Sequence, residues 1–229
     1  MTRGILIAGN ESTLSAAIAS ETGRRVDRFV AAIIPNRLPY PLENRPASAK
    51  APEGTGPIPL DWNPGSPVSA RTMVLGAENR LGQLSEAILV CTPPAVRKSA
   101  ENLNPANLEI IINDYIKGWF FLVKELATVF KAHGAGALAL VLADIGSGGG
   151  RDDPVDLIGP PVAASFRAFA QGLMDSSRNE PYQVYGFSAS EAGEDNALGT
   201  FIFNIIEEGN KRDSGKWHKF GGKLSFLGR

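Results

Sequence analysis

Cysteine, histidine and methionine are scarce in this chain: its 229 residues contain one cysteine, two histidines and three methionines. The single cysteine, Cys91, has no partner within the chain for a disulfide, which predicts a reducing, cytoplasmic setting. One cysteine and two histidines are also too few for an ordinary structural metal site. The sequence therefore predicts a protein without a disulfide and without a bound metal.

Long apolar runs and a strong net charge are also missing. No run approaches the roughly 20 apolar residues that a membrane span needs, and the run at residues 4–9 is too short for a signal peptide. The net charge of −1 and the isoelectric point near 6.2 offer nothing to attract nucleic acid or an anionic membrane. With 43% hydrophobic residues, the chain can bury one core, so we expect a single domain over residues 1–229.

Short apolar runs alternate with helical patterns along the chain. Helical spacing follows the first run as far as Gly23 and recurs at residues 107–133 and 161–177, with a further helix near residue 68. The predicted strands are residues 5–8, 29–34, 88–91, 137–142, 184–187 and a last one at 224–227. This alternation predicts an α/β fold, a Rossmann-like doubly wound parallel sheet with helices on both faces.

A proline-rich segment at residues 35–67 breaks the alternation. It contains nine of the sixteen prolines, so no regular helix can run through it. We expect a long irregular excursion there. Long loops of this kind are often binding loops, and the alternative is a surface insertion that binds no specific ligand.

The turn Ala8-Gly9-Asn10-Glu11-Ser12-Thr13-Leu14-Ser15 comes directly after the first predicted strand, residues 88–94 contain the third, and Val162-Ala163-Ala164-Ser165-Phe166 opens a later helix. In their order and spacing, these motifs resemble the short-chain dehydrogenase/reductase family over nearly the whole chain. The turn resembles the family's dinucleotide turn, and residues 88–94 resemble its fourth strand. Val162-Ala163-Ala164-Ser165-Phe166 is similar in register to the family's Tyr-Ala-Ala-Ser-Lys. The resemblance implies a Rossmann domain, NADP or NAD as cofactor, and an oligomer formed through two helices.

The resemblance also implies a set of cofactor-binding positions, and some of them depart from the family pattern. Thr13 and Ser15 stand where the family has its second and third glycines, which let the backbone approach pyrophosphate closely. Their hydroxyls can instead donate to a phosphate, and helix N-terminal amides favour an anion. The implied positions are Gly9, Asn10, Thr13, Leu14, Arg37, Asp61, Cys91 and Thr92.

Two of these positions have ordinary structural alternatives. Arg37 stands where relatives that prefer NADP place a basic residue for the 2′-phosphate, and the alternative is a solvated loop arginine. Asp61 stands where the family has an aspartate at the adenine edge. Its alternative is an Asx-turn or a cap before the helix near residue 68.

The catalytic positions of the resemblance carry hydrocarbon side chains. Carbonyl reduction needs an acid for the forming alkoxide, and the family uses its tyrosine together with the lysine. Val162 and Phe166 occupy those two positions, and there is no tyrosine between Tyr115 and Tyr182. Asp144 and Ser147 fall near the family's serine and are candidate replacements, although a turn residue is the alternative for Asp144.

Three functions are consistent with these residues. In the first, the protein has no ordinary carbonyl reductase activity and acts as a nucleotide-sensing or structural partner in an oligomer of like chains or with a relative. In the second, it is an NADP-dependent oxidoreductase in which Asp144, Ser147 or a water relay supplies the proton. In the third, it is an interaction protein whose proline-rich excursion fills the cofactor cleft.

Overall fold

The structure, a computed structural model, describes residues 3–38, 56–143, 155–189 and 194–221. The strands are β1 (Ile5–Asn10), β2 (Phe29–Ile34), β3 (Ile58–Pro59), β4 (Glu86–Cys91), β5 (Ala137–Ala143), β6 (Gln183–Ala189) and β7 (Trp217–Phe220). The α-helices are α1 (Thr13–Arg25), α2 (Pro67–Leu81), α3 (Pro105–Ile112), α4 (Gly118–His133), α5 (Gly159–Ser176) and α6 (Asp195–Glu208). No helix in these ranges combines the length and apolarity that a membrane crossing requires.

The seven strands form one sheet in the order β3-β2-β1-β4-β5-β6-β7, and every pair of neighbours is parallel. From β1 the chain winds outward to β2 and β3, and then returns to place β4 on the other side of β1. The winding direction therefore reverses between β1 and β4. In open α/β sheets, ligands bind outside the carboxyl ends of the strands at such a reversal.

Both faces of the central sheet are buried, which explains why β1, β2, β4 and β5 are nearly continuous apolar runs. Leu6 and Ala8 of β1 pack into a core that is completed by α2, α4 and α5. Ile5 and Ile7 point to the opposite face and pack with α1 and α6. The predicted Rossmann-like, doubly wound parallel sheet is confirmed.

The helix predicted at residues 107–133 is present, but it contains a π-helical turn at Asn113–Lys117 between α3 and α4. The loop before α2 lies against this turn. A Cβ on Gly118 would come within 2.5 Å of the Pro64 Cβ, so only glycine lets the loop approach so closely. A π turn carries one extra residue and is frequent at functional sites.

Two regions differ from the prediction. The predicted irregular excursion contains the short strand β3, because Ile58 and Pro59 lie along the edge of β2 and the Leu60 N–H donates to the Ala31 carbonyl at 2.9 Å. Proline is tolerated there, since an edge strand leaves one row of N–H positions unused. Residues 39–55 of the excursion lie outside the described residues.

The last described strand also differs from the prediction. Residues 224–227, predicted as a strand, lie outside the described residues, whereas β7 was missed. Its sequence, Trp-His-Lys-Phe, is short and mixed in polarity. It pairs with β6 where Gly186 leaves room, because a Cβ on Gly186 would come within 2.4 Å of the Trp217 ring.

Candidate functional site

The candidate site lies at the carboxyl ends of β1 and β4. Gly9 is the second-to-last residue of β1 and is paired in register with Val90 of β4. A Cβ on Gly9 would come within 2.4 Å of the Val90 carbonyl oxygen. Glycine is therefore needed here for the close approach of the two strands, independently of any cofactor.

The turn after β1 ends in a capping box at the start of α1, formed by Ser12 and Ser15 with each other. The Ser15 N–H donates to the Ser12 hydroxyl at 3.1 Å, and the Ser12 N–H donates to the Ser15 hydroxyl at 3.0 Å. The Ser15 hydroxyl also donates to the Ser12 carbonyl at 2.9 Å, and both residues are buried. This capping box uses the Ser15 hydroxyl. The expectation that Ser15 would donate its hydroxyl to a phosphate is therefore wrong.

Two backbone donors of the same turn remain open. The N–H groups of Thr13 and Leu14, the first two residues of α1, form no hydrogen bond with any described residue. Adjacent free N–H groups at the start of a 13-residue helix point along the positive end of its dipole. This arrangement can bind one anionic group, although it offers fewer donors than a glycine-rich turn.

Two buried polar atoms at the same edge also have no hydrogen-bond partner among the described residues. They are the side-chain oxygen Oδ1 of Asn10 and the hydroxyl oxygen Oγ1 of Thr92. Asn10 ends β1 and is 5% exposed, and Thr92 directly follows β4, the neighbouring strand. Buried polar atoms are rarely left unpaired, so an external group that donates to Asn10 and contacts the Thr92 hydroxyl would stabilise this edge.

Cys91 is the last residue of β4 and directly precedes Thr92 at this edge of the sheet. It is fully buried, and this burial raises the pKa of its thiol well above the usual value. A buried thiol with a raised pKa is a poor nucleophile. Cys91 therefore packs in the core beneath the site, and its place among the cofactor-binding positions stays a prediction.

We expect the Cys91 thiol to be inert in the folded protein. Ellman's reagent should label it on the order of 100-fold more slowly in buffer than in 8 M urea, because labelling requires the surrounding sheet to open. Time-resolved absorbance with and without urea measures the ratio. Comparable rates in the two solutions would show that the end of β4 is accessible.

The guanidinium of Arg37 is paired with a carboxylate, whereas both a 2′-phosphate ligand and a solvated loop arginine would leave it unpaired in the absence of the nucleotide. The contact with Asp114 is bidentate: Nε lies 3.0 Å from Oδ2, and a terminal nitrogen donates to Oδ1. Asp114 is 2% exposed and lies in the π turn. Both sequence-based interpretations of Arg37 therefore missed its partner.

Asp114 is a buried, charged residue that sequence reasoning overlooked. A signal was present, because Asp114 follows Ile111 by three residues and so lies on the apolar stripe of the predicted helix. An acid on a buried helix face requires a cation. The sequence did not reveal which of the chain's 23 lysines and arginines would supply it.

Asp61 lies at the edge of the sheet after β3 and is exposed. It does not cap α2, because the Ser66 hydroxyl accepts from the Ser69 N–H at 3.2 Å. Asn63, instead of Asp61, forms the Asx-type bond, accepting from the Gly65 N–H at 3.1 Å. The structural alternatives for Asp61 are therefore wrong, and its place at the adenine edge stays a prediction.

Val162 and Phe166 lie one turn apart in α5 and are 2% and 1% exposed. The Phe166 ring meets Trp119 of α4 edge to face at 5.4 Å between centroids, and Trp119 in turn contacts Trp62 at 5.5 Å. This aromatic row, Trp62, Trp119 and Phe166, runs from the loop before α2 to α5. The positions that resemble the family's tyrosine and lysine are thus part of a hydrophobic core.

Asp156 joins two loops beside this core. Its Oδ1 accepts three backbone N–H groups, from Val96 at 3.3 Å and from Ile158 and Gly159 at 2.9 Å each. Residue 156 is 8% exposed. The carboxylate therefore ties the segment after β4 to the start of α5.

The candidate catalytic replacements, Asp144 and Ser147, lie outside the described residues. The described residues contain no cluster of side chains that could hold a metal ion.

Comparison with known proteins supports the fold. No protein-family model and no curated protein matches the chain. Among solved structures, a short-chain type dehydrogenase/reductase from Mycobacterium marinum is similar with a TM-score of 0.73 and 11% identity, covering 98% of this chain and 95% of that one. A 3-ketoacyl-(acyl-carrier-protein) reductase from Brucella melitensis, complexed with NADH, is similar with a TM-score of 0.75 and 15% identity, covering 98% of both chains. At these identities the likeness establishes a shared fold.

Proposed function

We propose that this protein binds a nicotinamide dinucleotide without carrying out ordinary carbonyl reduction, and that it acts as a nucleotide-sensing or structural partner in an oligomer. The observation that carries this proposal is the burial of Val162 and Phe166 within the aromatic row. A dinucleotide supplies a hydride, but the substrate oxygen also needs a proton. Neither side chain can donate one, and neither can lower the pKa of a neighbouring phenol.

Binding is supported by the edge formed by β1 and β4. The free N–H groups of Thr13 and Leu14 would hold a phosphate oxygen, and the orphaned Asn10 Oδ1 would accept from a hydroxyl or an amide of the ligand. Thr92 would add a hydroxyl at the adjoining strand end. The similar reductase from Brucella melitensis is complexed with NADH, which makes this cofactor the first to test.

Thermal unfolding with and without NADH tests the binding. Saturation at 100 times the dissociation constant should stabilise the fold by about 2.7 kcal/mol, which is roughly 5 to 10 °C in midpoint for a chain of this size. Unchanged midpoints with both NADH and NADPH would end the proposal of a nucleotide. A midpoint shift that is accompanied by turnover of a carbonyl panel would favour the NADP-dependent enzyme instead.

A proline at residue 13 tests the backbone donors directly. Thr13 is the first residue of α1, where proline fits, and Ser12 before it is extended with φ −160° and ψ 165°. Thr13→Pro should therefore keep the fold but remove one phosphate donor, weakening NADH binding roughly tenfold or more. Thr13→Ala, which loses the hydroxyl but keeps the N–H, is the control and should bind almost as well as the native chain. Equal affinities for both variants, measured by calorimetry, would show that the phosphate does not use this N–H.

The oligomer is proposed to form through α4 and α5. An apolar groove runs between these helices, lined by Phe120, Ala168, Phe169 and Leu173 among others. Phe120 is 52% exposed, and its ring lies 4.5 Å from that of Phe169. A second copy of the groove would cover this apolar surface, and small residues such as Ala168 allow helices to approach closely.

We expect Phe120→Glu to convert the oligomer to monomers, because it places like charges opposite each other in an interface formed by two copies. Light scattering after gel filtration gives the mass of each species. Leu75→Glu makes the same change at a residue on α2 that is 49% exposed, and it should leave the mass unchanged. A native chain that is monomeric at micromolar concentration would contradict this interface.

A further inference from the structure

The ion pair between Arg37 and Asp114 crosses from the loop after β2 to the π turn, over a separation of 77 residues in sequence. Asp114 is nearly fully buried, while the side chain of Arg37 is 41% exposed. The pair therefore has one fixed, buried partner and one that reaches solvent. Its position beyond the carboxyl end of β2 is the place where a ribose next to the phosphate edge of β1 would be recognised.

The guanidinium of Arg37 already donates two hydrogen bonds to this carboxylate. The same pair of N–H donors would be needed to bind a phosphate in a bidentate geometry. If Arg37 moved to a 2′-phosphate, Asp114 would remain charged and buried without its counter-ion, which is strongly unfavourable. A phosphate that approached the intact pair would also meet the negative charge of Asp114.

The π turn holds Asp114 in this place. The loop before α2 packs onto the turn, with Pro64 against Gly118 and Gly65 against Asn113, whose side chain lies within 3.4 Å of a Cβ placed on Gly65. Tyr115, the next residue, is 4% exposed and packs in the core. Asp114 therefore sits on a segment that is packed from two sides, whereas the side chain of Arg37 is the solvent-exposed member of the pair.

We propose that Asp114 sets the dinucleotide preference of this protein by pairing with Arg37. The site then binds NADH and gains no affinity from the 2′-phosphate of NADPH. This inference rests on the proposed nucleotide binding. It reverses the role that Arg37 takes in the resemblance, where a basic residue after the second strand favours NADP. The specificity determinant is the buried acid on the π turn, which the nucleotide itself need not touch.

Calorimetric titration of the full-length protein with NADH and with NADPH tests this assignment. The native chain should bind NADH at least as tightly as NADPH. Asp114→Asn removes the negative charge but keeps the shape, which releases Arg37, and the ratio of NADPH to NADH affinity should rise roughly tenfold or more. Asp175→Asn is the matched control, because it neutralises an exposed aspartate that also pairs with an arginine, Arg178, outside the site.

A second variant keeps the test decisive if Asp114→Asn does not fold. Arg37→Gln removes the cation but leaves an amide that can donate to Asp114, and it should not lower the affinity for NADPH relative to NADH. A selective loss of NADPH binding in Arg37→Gln would overturn the inference, as would an unchanged ratio in folded Asp114→Asn. These results leave the proposed nucleotide binding intact, whereas the absence of binding by either nucleotide to the native chain overturns both.

Discussion

Phe166→Lys should destabilise the protein by about 4 kcal/mol or more, since it exchanges a buried aromatic ring for an amine with no counter-ion. Phe166 is 1% exposed and contacts Trp119 edge to face. The loss is a large part of the 5–15 kcal/mol that stabilises a typical domain. Urea unfolding, followed by circular dichroism, measures the free energy of unfolding.

Phe166→Leu is the control for this substitution and should cost only about 1 to 2 kcal/mol, because the side chain stays apolar and close in volume. The double variant Val162→Tyr with Phe166→Lys places in α5 the tyrosine and lysine of the short-chain dehydrogenase/reductase family. We expect it to be unstable and to have no carbonyl reductase activity. A stable double variant that reduces carbonyls would mean that the aromatic row adapts easily to a catalytic pair. The proposed non-catalytic role would then lose its main support.

Asp156→Ala should lower the free energy of unfolding by about 2 to 4 kcal/mol, because it leaves three backbone N–H groups without their acceptor. All three bonds go to a single atom, Oδ1. Asp156→Asn retains an oxygen at that place and should cost about 1 kcal/mol or less. Denaturant titrations of the two variants give the comparison directly.

The difference between these two variants identifies the cause of the effect. If alanine and asparagine destabilise equally, the charge of Asp156 matters instead of its role as acceptor. If neither destabilises, the segment after β4 and the start of α5 do not depend on each other. Gly159→Ala offers an independent check, since its Cβ would lie 2.4 Å from Asp156 Oδ2 and 2.9 Å from the Pro94 carbonyl oxygen, and it should also destabilise.

Local sequence patterns were sufficient to predict most of the sheet. The first five predicted strands are all present, because strands that are buried on both faces must be continuously apolar. The π turn was not predicted, because the spacing of four between Ile111, Tyr115 and Trp119 across it also fits an ordinary α-helix. Strand β7 was missed because its pairing depends on the space at Gly186, which lies in another strand.

The candidate site was predictable in position but only partly in chemistry. The location of the turn after β1 follows from strand, glycine and helix in succession, and Gly9, Asn10, Thr13 and Leu14 do lie there. The occupation of the Ser15 hydroxyl was not foreseen, although the spacing of Ser12 and Ser15 is that of a capping box. The expectation for Ser15 failed because the cap and a phosphate compete for the same hydroxyl.

The amino-acid sequence by itself determined the fold class and the hydrocarbon character of positions 162 and 166, because both depend on residue types and their local spacing. Only the tertiary structure decided that Arg37 pairs with Asp114 and that Asp156 joins two loops. The physical reason is that a charged or polar group is stabilised by whichever partner the folded chain brings within hydrogen-bonding distance. For Arg37 that partner lies 77 residues away, beyond the reach of any local pattern.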